Sequence, residues 1–167
     1  WPRVLPPSAF VWFLQNHDQI GNRALGERLI TLTSPDALRT AVILLLLSPA
    51  IPLIFMGEEW GAQEPFPFFC GFTGELAQAV TTGRRKEFAQ FAGFYDPQAL
   101  LGIPDPCAAS TFTLAKLNWQ IQHDPPHREW LTLYRTLLAL RLHVIIPLLP
   151  SIEGSRFEVL APHALQA

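Results

Sequence analysis

The sequence predicts an α/β fold in which two parallel strands are joined through a helix. Two short runs of large apolar residues, 10–14 and 51–56, suit strands that are covered on both faces. A helical stretch over 35–47 lies between them. Each apolar run changes abruptly into polar sequence, and in a β-α-β unit both of these loops leave the same edge of the sheet. That edge is where parallel α/β proteins place their chemistry.

The connecting helix has clear signals at both ends. Ser34 is a favourable N-cap, Pro35 suits the first helical position, and Asp36 puts an acid in the first turn. Pro49 should end the helix, because the residue before a proline is disfavoured in the α region. Residues 41–47 are apolar on every side of the helix, so we expect this half to be buried on most sides.

The segment after the second strand is aromatic and then helical. Residues 65–72 form a loop rich in Phe and Pro, which fits either the wall of a binding cleft or, more commonly, the end of a core. Two short helices are expected over 75–82 and 84–94, separated by Gly83. The basic run 84–86 is interpreted as a solvated helix face.

The last part of the chain predicts one long helix and a β-rich tail. Apolar residues recur at three- and four-residue steps after Asp124, and the helix should end before Pro147. The tail over 152–165 is expected to hold the first strand or two of a following β domain. The chain begins at Trp1 without an initiator Met, so we expect it to be a piece of a longer protein.

Composition narrows the possible partners. Of the 167 residues, 49% are hydrophobic and only 16% are charged, which is apolar for a free-standing domain and suggests faces that pack against neighbours. The net charge of −2 gives no electrostatic case for nucleic acid or an anionic membrane. The longest apolar run, 41–47, is too short to cross a bilayer.

The two cysteines, Cys70 and Cys107, show no metal-type spacing and are too few for a disulfide framework. They are expected to be free thiols in a reducing compartment, and a single bridge between them stays open. The sequence also contains no recognisable signal peptide.

A polar loop follows the first predicted strand and is the candidate active-site edge. Five hydrogen-bonding side chains stand together at 15–19, among them the adjacent His17 and Asp18. The alternative interpretation is a polar turn, in which Asn16 or Asp18 bonds to its own backbone and Gly21 supplies an unusual dihedral angle. Strand pattern alone does not separate these two hypotheses.

The segment Asn16-His17-Asp18 resembles a signature of the α-amylase family of glycoside hydrolases, and the longer strings 15–28 and 55–61 strengthen the resemblance. It implies that residues 1–147 are the last two βα units of a (β/α)₈ barrel, with strands seven and eight and helical insertions. It also implies that 148–167 begin a C-terminal β domain. Further matching segments are 74–76, 83–88 and 116–119.

The resemblance also implies roles for individual residues. Asp18 would bond the sugar at the cleavage site and stabilise the transition state, and His17 would bond the same sugar. Retaining glycoside hydrolysis needs two other carboxyl groups about 5 Å apart. No segment here resembles those that carry them, so the chain alone is expected to be inactive. Weaker candidates for substrate contacts are Asn16, Arg23, Glu58 and Trp60.

Within the family, the longer strings most resemble the branch that cleaves the α-1,4 bond next to a terminal trehalose and so releases trehalose. The implied partners are a maltooligosaccharide-type substrate and the missing N-terminal portion of the barrel. The parent enzyme is implied to be cytoplasmic and to need no metal or other cofactor. An alternative within the family is a glycogen-branching or debranching enzyme. A different class of function is a non-catalytic domain that binds glucan or packs against another protein.

Overall fold

Two short parallel strands organise the first part of the molecule. The computed structural model describes residues 5–152, 158–161 and 164–166. Strand β1 (Val11–Trp12) pairs in parallel with β2 (Ile51–Pro52), with Val11 opposite Ile51. The parallel pairing predicted from the sequence is confirmed. Both strands are shorter than the apolar runs that predicted them.

The helices are placed between and after these strands. They are α1 (His17–Gly21), α2 (Leu29–Leu32), α3 (Pro35–Leu47), α4 (Gly74–Phe88), α5 (Pro97–Leu101), α6 (Ala109–Leu114), α7 (His127–Leu140) and α8 (Ile146–Leu148). Shorter 3₁₀ turns cover Pro7–Ala9, Glu58–Trp60, Ala92–Phe94, Trp119–His123 and Leu149–Ser151. A hairpin of β3 (Glu158–Ala161) and β4 (Ala164–Gln166) is antiparallel.

Helix α3 has the predicted bounds and the predicted cap. The Ser34 hydroxyl accepts a hydrogen bond from the backbone N–H of Ala37, and Ser48 turns to extended backbone before Pro49. Burial on most sides, however, is wrong. Val42 and Leu46 are buried, whereas Leu44 is 54% exposed, because only one side of the helix packs on other elements.

The prediction that both strands are covered on both faces is also wrong for the described residues. Val11 is 53% exposed and Trp12 is 52% exposed. A sheet of two strands has few neighbours, and within the described part of the chain α3 and α7 pack chiefly against each other. The main core therefore lies between these two helices, where Leu45 and Leu46 pack with Trp130 and Tyr134.

Two helix boundaries differ from the predictions. Helix α4 runs unbroken through Gly83, since a glycine inside a helix costs only about 1 kcal/mol relative to alanine. The long helix passes Pro147 through a π-helical turn at Arg141–Ile145. That turn shifts the hydrogen bonding and leaves Pro147 in the first turn of α8, where its missing N–H matters little.

The resulting helical run, His127–Ser151, is long and apolar enough to cross a membrane, judged by length and composition. The sequence-based estimate considered only 41–47 and overlooked it. Only 17% of its most apolar window is buried, although α7 contributes Trp130, Tyr134 and Leu137 to the core beside α3.

The predicted β-rich tail is represented by the β3–β4 hairpin, while residues 153–157, 162–163 and 167 lie outside the described residues, as do 1–4. The domain division at residue 147 remains a prediction.

Arg141 closes the carboxyl end of α3. Its side chain comes from the π-helical turn and is only 6% exposed. Its acceptors are the carbonyl oxygens of Leu46, Ser48 and Ala50, at 3.0, 2.5 and 2.6 Å. The last carbonyls of a helix have no partner within the helix, so this guanidinium replaces the missing donors.

Replacing Arg141 with Met should keep the apolar stem but leave these carbonyls without donors. We expect a loss of at least about 3 kcal/mol in the free energy of unfolding, measured by denaturant titration. The exposed Arg135 on α7 offers a matched control, and Arg135→Met should change stability by less than about 0.5 kcal/mol. Equal unfolding midpoints for the two variants would contradict this role of Arg141.

Candidate active-site loop and its buried support

The loop after β1 presents His17 and Asp18 in the first turn of α1. Asn16 caps this helix, because its Oδ1 accepts a 2.8 Å hydrogen bond from the backbone N–H of Gln19. His17 Nε2 lies 3.4 Å from Asp18 Oδ1, and the two side chains are 70% and 75% exposed. An imidazole and a carboxylate therefore stand side by side at the carboxyl end of β1.

The polar-turn hypothesis holds for Asn16 but not for Asp18. Asn16 makes the backbone bond that the hypothesis requires. Among the described residues, the Asp18 carboxylate contacts the His17 side chain and does not bond to its own backbone. Gly21 does not have a positive φ. The exposure of Asp18 leaves its carboxylate oxygens accessible to a ligand.

Arg23 lies at the far end of the same loop. Its Nη2 atom is 3.3 Å from Glu27 Oε1, and its side chain remains 43% exposed. Burial raises the pKa of Glu27, but backbone hydrogen bonds and Arg23 more than offset this, so the pKa is lowered overall. Arg23 is thus placed near the candidate pair, engaged with a neighbour on its own loop.

Arg84 holds the backbone of this loop from α4. Its Nη2 atom donates to the carbonyl oxygens of Gly21 and Arg23, at 2.5 and 2.9 Å. Its guanidinium carbon also lies 5.3 Å from the ring centre of Phe68 and 5.0 Å from that of Phe88. The interpretation of 84–86 as a solvated face is therefore wrong for Arg84.

The loop after β2 turns two of the predicted site residues inward. Gly57 and Gly61, with φ of 87° and 64°, flank the 3₁₀ turn that carries Glu58 and Trp60. Glu58 is 7% exposed and Trp60 is 1% exposed. A sugar ring has no access to either side chain in this structure. The predicted substrate contacts of Glu58 and Trp60 are corrected accordingly, because both belong to the interior.

The inward-facing Glu58 links the two loops. Gln15 Nε2 donates a 3.0 Å hydrogen bond to Glu58 Oε2, and Gln15 Oε1 accepts one of 3.1 Å from the backbone N–H of Leu29. Gln15 immediately precedes Asn16, the cap of α1. The carboxyl of Glu58 therefore fixes the point from which the His17–Asp18 turn departs.

Burial makes the carboxyl group of Glu58 a weaker acid than usual. Loss of hydration raises the pKa of Glu58 to about 7, against the opposing effects of Gln15 and of the Tyr134 hydroxyl. The same burial, together with the charge of Glu58, raises the pKa of Tyr134 above its ordinary value. Near neutral pH, Glu58 is thus present in both protonated and ionised forms.

Trp60 is held by aromatic and backbone contacts from the C-terminal half. Its ring centre lies 4.8 Å from that of Trp119, and its carbonyl oxygen is 2.8 Å from His127 Nδ1. These contacts place the loop after β2 against the start of α7. Trp60 therefore connects the loop after β2 to α7, where it packs with Leu131.

Arg28 is a site-supporting residue that the sequence analysis did not single out. It is fully buried, its Nε donates to the carbonyl of Glu64 at 2.6 Å, and its Nη1 donates to that of Met56 at 2.8 Å. Its guanidinium carbon lies 5.1 Å from the ring centre of Phe55. The only signal for this role was its position within the matching string 15–28.

The backbone of the aromatic loop 65–72 lies very close to Gly26 in the candidate loop. Gly26 has a φ of 69°, and a Cβ there would lie 2.3 Å from the nitrogen of Pro67. The Phe66 N–H donates a 2.8 Å hydrogen bond to the Gly26 carbonyl. The aromatic loop 65–72 thus packs directly behind the candidate loop, which only glycine at 26 permits.

Comparison with known proteins finds relatives that match most of this chain. A malto-oligosyltrehalose trehalohydrolase from Deinococcus radiodurans is 50% identical over 137 residues, covering 79% of this chain and 21% of the relative. One from Saccharolobus solfataricus is 41% identical over 133 residues, with the same shares. The chain thus spans about a fifth of the length of these curated relatives. No family model matches the chain.

A solved structure gives the same result for the fold. A Salmonella typhimurium protein, provisionally named an α-amylase, matches with a TM-score of 0.83 and 51% identity, over 93% of this chain and 26% of that one. In architecture and sequence, this chain is thus similar to about a quarter of a protein that carries the α-amylase name. In particular, it is homologous to a segment of the malto-oligosyltrehalose trehalohydrolases.

The raised pKa of Glu58 predicts a pH-dependent stability. Between its ordinary value of 4.5 and about 7, the folded protein retains a proton that the unfolded chain releases. Stability from this group is therefore full below about pH 4.5 and falls as pH rises to about 7, by about 3 kcal/mol. Glu58→Gln keeps an oxygen acceptor for Gln15 but removes the titration. Its stability relative to wild type should rise across this window, as measured by thermal unfolding at several pH values.

Glu75→Gln removes an exposed carboxylate and serves as the control, whose profile should run parallel to that of wild type. If the Glu58→Gln profile also ran parallel to wild type, Glu58 would not be the titrating group.

Proposed function

We propose that this chain forms the last two βα units of an α-amylase-type barrel, and that Asp18 stabilises the transition state of glycoside hydrolysis. The exposed His17–Asp18 pair at the carboxyl end of β1 is the observation that carries the proposal. A charged acceptor beside the sugar strengthens its hydrogen bonds as positive charge develops in the transition state. His17 and Asn16 complete this edge, with Arg23 at its margin.

The buried groups explain how such a carboxylate would be positioned. Gln15 is anchored to Glu58 from the second strand-end loop, and Arg84 holds the carbonyls of Gly21 and Arg23. Both ends of the Asn16–Asp18 turn are thereby tied to other elements. A side chain on a fixed backbone loses little additional freedom when it binds substrate, which favours catalysis.

We further propose malto-oligosyltrehalose as the substrate of the complete protein, with free trehalose as a product. Support comes from relatives of that name that are 40–50% identical over about four fifths of this chain. The nucleophile and the general acid would come from outside the matched segment, and 167 residues alone should release no trehalose. The same resemblance supports a barrel portion over 1–147, a β domain that begins at 148 and a cytoplasmic location.

A second candidate is hydrolysis of ordinary α-1,4-glucans, which the 51% identity to the Salmonella protein favours. Product analysis separates the two. The complete protein should release trehalose from malto-oligosyltrehalose and leave maltooligosaccharides of equal length largely intact. Rapid cleavage of both substrates to maltose and short oligosaccharides would support the second candidate instead.

Replacing Asp18 with Asn tests the proposed role directly. The change preserves size but removes the charge, so kcat of the complete protein should fall by about 10²–10³. The melting temperature should hardly change, because Asp18 is exposed and the recorded backbone cap of this turn belongs to Asn16. Both quantities are to be measured on the same preparation.

Asp36 provides the matched control, since it is an exposed acid in the first turn of α3. Asp36→Asn should leave kcat unchanged. A lowered melting temperature with near-normal kcat in Asp18→Asn would assign Asp18 to turn structure and refute the catalytic proposal.

A further inference from the structure

Cys70 and Cys107, which are 37 positions apart in the sequence, meet in space. Their Sγ atoms are 3.5 Å apart, and both side chains are partly buried. Cys70 belongs to the aromatic loop 65–72, while Cys107 lies in the turn before α6. Two thiols in contact form a different chemical site from two isolated cysteines.

Hydrogen bonds fix the backbone around the two thiols. The N–H of Cys70 donates to the carbonyl of Pro106 at 2.9 Å, which joins the two segments directly beside the sulfurs. The N–H of Cys107 donates to Asp105 Oδ1 at 2.9 Å, and Thr81 Oγ1 donates to the same oxygen at 2.7 Å. The segments that carry the thiols are therefore tied both to each other and to α4.

The two sulfur atoms need to move only a short distance to form a disulfide bond. Sulfurs in a disulfide are about 2.05 Å apart, so the pair must approach by about 1.5 Å, a shift within reach of side-chain rotation. Loss of hydration and the hydrogen bond to Cys70 raise the pKa of Cys107, with a further contribution from the carboxylate of Asp105. The thiol form of Cys107 is thus favoured at neutral pH.

We propose that Cys70 and Cys107 form a dithiol site that reacts with low-molecular-weight disulfides and closes to an intramolecular disulfide. One protein thiol loses its proton to solvent, and its thiolate attacks a sulfur of the reagent, which forms a mixed disulfide and expels one reagent thiolate. The second protein thiolate attacks the protein sulfur of that mixed disulfide and expels the second. The protein pair loses two electrons and two protons, and the reagent is reduced to two thiols.

Closure of the bridge would have a structural consequence for the candidate loop. It would lock the aromatic loop, which packs on Gly26 through Phe66 and Pro67, to the turn before α6. A cross-link between residues 37 positions apart restricts the unfolded chain, so the oxidised protein should be more stable than the reduced protein. This inference does not depend on the proposed glycosidase activity.

The test treats the folded, full-length protein with oxidised glutathione and stops the reaction by acid and alkylation. Peptide mapping should find a Cys70–Cys107 linkage with a mass loss of two hydrogens, and the melting temperature should rise by several degrees. Cys70→Ser and Cys107→Ser are the matched controls, since each can form only a mixed disulfide with glutathione. Neither control should show the rise, and a reductant should reverse it in wild type.

Two outcomes would overturn the proposal. One is a stable mixed disulfide on either cysteine of the folded wild-type protein, without conversion to the internal bridge. The other is formation of the bridge only after denaturation, which would show that the folded geometry does not promote it. Cys70→Ala and Cys107→Ala repeat the comparison with an apolar replacement, should a serine variant fail to fold.

Discussion

The buried guanidinium of Arg28 is the interaction on which the candidate edge depends. It lies behind the loop after β1 and donates to carbonyls of the segment after β2, at Met56 and Glu64. Burying a cation is costly, and the bonds from its Nε and Nη1 offset part of that cost while they fix both segments relative to each other. The Gln15–Glu58 hydrogen bond repeats the connection close to the strand ends. The two loops behave as one supported surface because of these contacts.

Neighbouring residues at this edge differ in burial: some lie in the interior and hold the loop, and others are exposed to solvent. Gln15 points into the interior, and three positions later Asp18 is 75% exposed. The same division explains why Glu58 is unsuited to binding sugar although it follows a strand. Its flanking glycines adopt left-handed backbone, which allows the tight turn that directs Glu58 and Trp60 inward. The carboxyl groups at this edge therefore have two roles: Glu58 is buried and anchors Gln15, and Asp18 is exposed and can accept hydrogen bonds from a ligand.

Arginines satisfy backbone carbonyls at three separate places in this structure. Arg28 serves the segment after β2, Arg84 serves the candidate loop, and Arg141 serves the end of α3. The fork of donors on a guanidinium can bond several carbonyls at once, which a lysine cannot do in the same geometry. A chain with few charged residues thus places several of its cations in structural rather than solvated positions.

The sequence by itself determined the features that depend on near neighbours. Ser34, Pro35 and Pro49 defined the bounds of α3, and the two apolar runs indicated the parallel pair. The motif around Asp18 indicated the resemblance to the trehalohydrolases and the candidate loop. Burial was decided only by the tertiary structure, because it depends on residues far apart in the chain. Gln15 meets Glu58 across 43 positions, and the Trp60 carbonyl meets His127 across 67. These distant contacts turned two predicted sugar ligands into interior residues, whereas the π-helical turn at Arg141–Ile145 carries the long helix past Pro147.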